Sequence, residues 1–215
     1  MTDYVLNKSF STRVERSDRV LLVAESFGLG LEEKEFHVLR DVAVTVNPGD
    51  VVYITGQSGS GKSQLLRELA SAMIKNGLKV ADINRVEFED RALIDQVGGD
   101  LNEALAILSR AGLNDAYLTI RRPEELSDGQ RYRFAMARLM TQDADVWVAD
   151  EFGAVLDRVT AKTLAFNAQK WARQTGRILV VATTHEDLVA ELAPSVTVIK
   201  RFNDRIEIRK ADHAH

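Results

Sequence analysis

The chain has 215 residues, 45% of them hydrophobic and 28% charged, enough for a sizeable α/β domain with its own core. A formal net charge of −4 excludes a nucleic-acid polycation, and the lack of cysteine excludes disulfides, thiolate metal sites and cysteine nucleophiles. The start, MTDYVLNKSF, holds no apolar signal-peptide core, and no apolar run approaches the roughly 18 residues of a membrane span. A cytoplasmic protein is expected, with any membrane association supplied by a partner.

In chain order, VLLVAESF (20–27) and FHVLRDVAVTV (36–46) alternate, are rich in Val and read as strands. NPGD (47–50) is a turn, and VVYIT (51–55) is a short apolar strand. QLLRELASAMIK (64–75) has helical periodicity and stops at Asn76-Gly77. KVADI (79–83) reads as another strand, and LNEALAILSRAG (101–112) as an amphipathic helix stopped by Gly112. ELSDGQRYRFAMARLM (125–140) opens with cap residues and continues as a helix. ADVWVADEF (144–152) is a buried strand ending in two acids, and TAKTLAFNAQKWARQTG (160–176) a helix with a Gly stop. RILVVATTH (177–185) is a buried strand ending in His185, and SVTVIKRFNDRIEIRK (195–210) a hairpin turning at Asn203-Asp204. Buried strands alternating with helices predict an α/β fold with a mainly parallel sheet and an antiparallel portion. No repeat or linker divides it, so residues 1–215 are expected to form one domain.

GQSGSGKS, running from strand to helix, satisfies the phosphate-loop pattern at every fixed position. Gly56, Gly59 and Gly61 allow tight turning and close approach to phosphate. The N–H groups of Gly56, Gln57, Ser58, Gly59, Ser60 and Gly61, with the helix opened by Lys62, Ser63 and Gln64, would face the anion. Lys62 reaches the β- and γ-phosphates, and Ser63 offers its hydroxyl to Mg²⁺. Asp150 arrives at the same sheet edge on its strand, to hold Mg²⁺. Glu151 follows, to orient or deprotonate water. His185, just past a third buried strand, is placed for a γ-phosphate contact. Ser127, Asp128, Gly129 and Gln130 are ordinary helix openers, and equally an anion site at a helix N-terminus. The final His213 and His215 read as a frayed tail.

From about Val20 to Lys210 the chain resembles an ATP-binding-cassette (ABC) ATPase. GQSGSGKS resembles the Walker A loop, VWVADE the Walker B strand, LSDGQ the LSGGQ signature, and GAVLD, ending in Asp157, the D-loop; His185 resembles the switch histidine. The resemblance implies Mg-ATP binding and hydrolysis by two such domains paired head to tail around two ATP. Ser127, Gly129 and Gln130 of one copy would then face the γ-phosphate held by Lys62 of a second copy or a related ABC domain. It also implies an aromatic stacked on adenine, for which Phe27 leads Phe36. Gln96 would serve near Mg²⁺, beside Ser63 and Asp150.

The chain departs from the family at Asp128, where Gly is common, and at FGAVLD, which lacks the Pro-Thr-Ser usual in transporters. The stretch from Gln96 to Ser127 has room for one short helix and a loop, so the helical subdomain (about 97–140) is reduced. DEFGAVLDRVTAKTLAFNAQKWAR and ATTHEDL are also similar to soluble ABC ATPases, some fused to predicted acetyltransferase domains. These features favour a soluble mechanochemical or switch ATPase acting on an unidentified protein or nucleic-acid partner. The alternative is the ATP-binding subunit of a membrane transporter. A phosphate-loop small-molecule phosphotransferase comes third, opposed by the signature and His185.

Overall fold

The computed structural model describes residues 2–202 and 205–211. Strands β1 (Thr2–Thr12) and β2 (Lys34–Val46) form an antiparallel pair, with helix α1 (Asp18–Phe27) between them in sequence. Then follow β3 (Val51–Thr55), α2 (Lys62–Lys75), β4 (Val80–Asp82), α3 (Leu101–Arg110), the short α4 (Ala116–Thr119) and α5 (Asp128–Thr141). The chain continues through β5 (Val146–Ala149), α6 (Arg158–Thr175), β6 (Ile178–Ala182), the short α7 (Val189–Leu192), β7 (Val196–Lys200) and β8 (Ile206–Lys210). The second sheet has the order β4-β5-β6-β3-β7-β8, parallel from β4 to β7 with β8 antiparallel at the edge.

Both faces of this sheet are covered, which explains why β3, β5 and β6 are buried at every residue and read as unbroken apolar runs. Tyr53, Trp147, Leu179 and Val181 face α5 and α6. Val52, Ile54, Val148 and Val180 face α2 and the β1–β2 pair. Helix α2 seals that side with Leu65, Leu66, Leu69 and Met73, each worth about 1.5–3 kcal/mol when fully buried. A third cluster, from Leu93 through Leu108 and Leu126 to Phe134 and Ala137, packs α3 against α5 beside the sheet.

VLLVAESF is a helix, not the expected strand. Ser17 accepts from the Val20 N–H at 3.4 Å to cap its start. Gly28 stops it in the left-handed region at φ 62°, donating back to Ala24 and Glu25. The partner of β2 is instead the polar-looking β1, whose Tyr4 and Leu6 are buried. The hairpin β7–β8 forms as expected; its proposed turn at Asn203-Asp204, and His213 and His215, lie outside the described residues.

Candidate functional site

The order of the sheet brings the chemistry together. Strand β3 lies beside β6, pairing Ile54 with Ala182, and β6 beside β5, pairing Val181 with Ala149. Three adjacent strands therefore release the phosphate loop, His185 and the acid pair at one C-terminal edge. Backbone bonds lock the exits: Thr183 N–H donates to Ile54 at 3.1 Å and Phe152 N–H to Ala182 at 2.9 Å.

Between β3 and α2 the loop turns through positive φ at Gly56 (143°), Gly59 (74°) and Gly61 (97°). Gly56 is also pressed against β7: a Cβ there would stand 2.0 Å from the Lys200 carbonyl oxygen. Lys62 Nζ donates to the Gly56 and Gln57 carbonyls, both at 2.9 Å. Burial lowers the Lys62 pKa, and the Asp150 and Glu151 carboxylates pull it back up. Gln64 points along α2 and donates to Glu68 at 2.8 Å.

Ser63 Oγ donates to Asp150 Oδ1 at 3.0 Å, and the Glu151 N–H donates to the same oxygen at 3.0 Å. Glu151 stands at φ 51°, a left-handed conformation that costs a non-glycine residue about 1–2 kcal/mol. His185 is held by its backbone: its N–H donates to Thr183 Oγ1 at 3.2 Å, and its carbonyl accepts from the Tyr53 hydroxyl at 2.9 Å. Lys62, Ser63, Asp150, Glu151, Thr184 and His185 line one cleft of about 570 Å³. It pairs a cation and a helix N-terminus with two acids, the arrangement needed for a phosphate chain and a hard cation. Among the described residues no group of three or more His, Asp or Glu could hold a metal alone. The Ser63 hydroxyl and the Asp150 carboxylate, 3.0 Å apart, are oxygen donors of the kind Mg²⁺ uses when phosphate and water complete its shell.

Other expected residues lie elsewhere. Gln96 is buried, and its amide is spent on backbone: it accepts from Glu89 N–H at 3.0 Å and donates to the Glu89 and Arg91 carbonyls at 3.0 and 2.7 Å. It borders a separate cavity with Val97, Met140 and Trp171, so the structure does not bring it beside Ser63 and Asp150 in the cleft. Phe27 sits at the end of α1, 75% exposed. Phe36 lies on β2 two residues before Val38 and is 51% exposed. Val38 Cγ1 stands 3.2 Å from where a Gly61 Cβ would be. Phe10, absent from the sequence reading, pairs with Phe36 across the ladder. Its only signal was the weak alternation of a largely polar segment.

Ser127 does cap α5. Its Oγ accepts from Gln130 N–H at 3.4 Å, while Gln130 Oε1 accepts from Ser127 N–H at 3.0 Å. Ser127 and Asp128 are exposed, and this turn does not line the cleft of its own chain. The arginines of α5 are fasteners. Arg133 donates to the Gly112 carbonyl at 2.6 Å, and Arg138 to the Gln96 carbonyl. Arg131 reaches the Glu124 carbonyl at 3.5 Å.

A parallel sheet with a phosphate loop, an acid pair and a histidine at one edge defines a phosphate-loop nucleoside triphosphatase. Residues 39–89 match the family described as ABC transporter. The chain is 31% identical over 210 residues to the phosphonates import ATP-binding protein PhnC 2 of Pseudomonas savastanoi pv. phaseolicola, covering 75% of each protein. It is 34% identical over 200 residues to the aliphatic sulfonates import ATP-binding protein SsuB 2 of Mesorhizobium japonicum, covering 83% of this chain and 79% of that one. The methionine import ATP-binding protein MetN of Streptococcus agalactiae is 24% identical over 208 residues, with 79% of this chain matched to 58% of MetN. In fold, the ATP-binding cassette MJ0796, solved as a dimer bound to ADP and Pi, superposes with a TM-score of 0.66 at 17% identity, over 96% of this chain and 98% of that one. The chain belongs to the ABC ATPase family. It is an ATP-binding, ATP-hydrolysing protein of mixed, mostly parallel α/β fold.

Proposed function

We propose that the chain is the ATP-binding subunit of an ABC importer, working as a head-to-tail pair with a second copy or a related cassette, on the cytoplasmic side of a membrane partner. Its similarity to import ATP-binding proteins, 31–34% identical over at least three quarters of this chain, carries this reading. It outweighs the soluble switch role that the short stretch before Ser127 suggests. That stretch still packs a hydrophobic cluster of its own, and Leu101, Leu105, Tyr117 and Ile120 remain exposed on its α3 and α4 side. Exposed apolar groups of this kind suit a protein partner.

In this reading Lys62 and the loop N–H groups hold the phosphates of ATP, and Phe36, with Phe10 beside it, takes the adenine side. Ser63 and Asp150 hold Mg²⁺, which when bound would offset the charge on the β- and γ-phosphates. Glu151 orients the attacking water and His185 faces the γ-phosphate. Ser127, Gly129 and Gln130 of the opposite copy close the site. No metal role is proposed for Gln96, because its amide is already spent.

The test is affinity purification from native membranes in mild detergent. Recovery with a polytopic membrane protein, and ATP turnover raised by that protein, is the expected result. Recovery with soluble partners alone would return the switch ATPase to first place.

A further inference from the structure

The departures at FGAVLD have a physical partner in the signature helix. Tyr132, on α5, is partly buried, and its hydroxyl accepts from the Gly153 N–H at 3.2 Å. Its ring meets Phe152 edge-on, centroids 6.3 Å apart at 77°. Phe152 is fully buried, and its N–H is bonded to β6 at Ala182. Gly153 turns at φ 73°, and a Cβ there would stand 3.3 Å from the Ala161 Cβ. A larger residue would be strained in the backbone and crowded against α6. The turn carrying Glu151 is thus clamped on its far side by one phenol and one aromatic edge. Within it, Ala154 N–H donates to the Glu151 carbonyl at 3.0 Å.

The same helix face touches this segment a second time. Gly129, three residues before Tyr132 and so one turn away on that face, would place a Cβ 3.5 Å from both Leu156 Cδ2 and the Val155 carbonyl oxygen. The signature end of α5 and the stretch from Glu151 to Leu156 therefore meet at two points. Burial pushes the Tyr132 phenol up, so it keeps its proton at any physiological pH.

We propose that Tyr132 is a positioning residue for Glu151: its hydroxyl holds the Gly153 end of the strained Glu151 turn and ties that turn to the helix that presents the signature. The clamp makes one rigid piece of the carboxylate serving a chain's own ATP and the Ser127 turn offered to the opposite copy. The two ATP sites of a pair are coupled through it. This rests on the role given to Glu151 above.

Tyr132→Phe keeps the ring against Phe152 and removes only the hydroxyl. The expected result is a kcat about five- to tenfold lower with ATP affinity changed by less than about twofold, as for loss of a group acting only on the reacting geometry. In the Glu151→Gln background, single-turnover hydrolysis should fall no further when Tyr132→Phe is added, since residues acting as a unit are not additive. A wild-type kcat in Tyr132→Phe, an equal fractional loss in both backgrounds, or a loss that vanishes when rates are scaled to folded protein would each overturn the proposal and leave Glu151 in place. A wild-type rate in Glu151→Gln alone would remove the role of Glu151, and that of Tyr132 with it.

Discussion

The imidazole of His185 sits where burial, and then the nearby Arg158 guanidinium, lower its pKa below the ordinary histidine value. Arg158, at the start of α6, also forms an ion pair with Asp187. A lowered pKa keeps the ring neutral to lower pH. Taking the neutral ring as the active form, kcat/KM, which reports groups of the nucleotide-free protein, should hold through neutrality and fall only on the acid side of the ordinary histidine value. Arg158→Ala removes a positive charge and releases the Asp187 carboxylate, and both changes raise the pKa. The acid limb of the rate profile should move to higher pH, and His185→Ala should abolish it. A limb that stays put or moves lower in Arg158→Ala would break this link. Residue identities in the cleft were legible in the sequence because Lys62, Ser63, Asp150, Glu151 and His185 follow directly from strands or loops of fixed pattern. Gln96 was not: nothing in LIDQVGG tells that the amide folds back on the Glu89 and Arg91 backbone.

The phosphate loop shows how an element depends on single atoms. At Gly56 a Cβ would collide with a backbone carbonyl of β7, which cannot swing aside, whereas at Gly59 the same atom meets nothing within 4 Å. Both have positive φ, so both substitutions strain the backbone. Without nucleotide, Gly59→Ala should cost about 1–2 kcal/mol and Gly56→Ala about 3 kcal/mol or more, read by denaturant unfolding. Equal losses would show that the loop yields at Lys200. The parallel strands and α2, α3, α5 and α6 were legible from apolar runs, helical periodicity and Gly stops. Helix α1 was read as a strand and strand β1 was not read at all, for the opposite reason. VLLVA is a short apolar run that fits either period, and only Ser17 and Gly28, as caps, decide for helix. Strand β1 forms through cross-strand pairing with β2, which a local pattern of polar residues does not announce.

At the scale of the whole molecule, the cleft gathers the phosphate loop, the acids and His185 but not Ser127, Gly129 or Gln130 of its own chain. The signature turn is capped, exposed and aimed by α5, and the account completes the site with the opposite copy's turn. The composite arrangement was an expectation from family resemblance alone, since which chain fills a cleft is a property of assembly. In the proposed reading, Glu151→Gln would keep the phosphate and metal contacts assigned to Lys62, Ser63 and Asp150 while removing the group assigned to orient or deprotonate water, a loss of roughly 10²–10⁴ in rate. ATP should then remain bound and bridge two copies. The most direct measurement is the mass of Glu151→Gln by light scattering with and without saturating Mg-ATP. The account predicts 23.9 kDa without nucleotide and twice that with it, alongside slow turnover. A protein that binds ATP yet stays monomeric at every concentration, or that turns over at the wild-type rate, would contradict it.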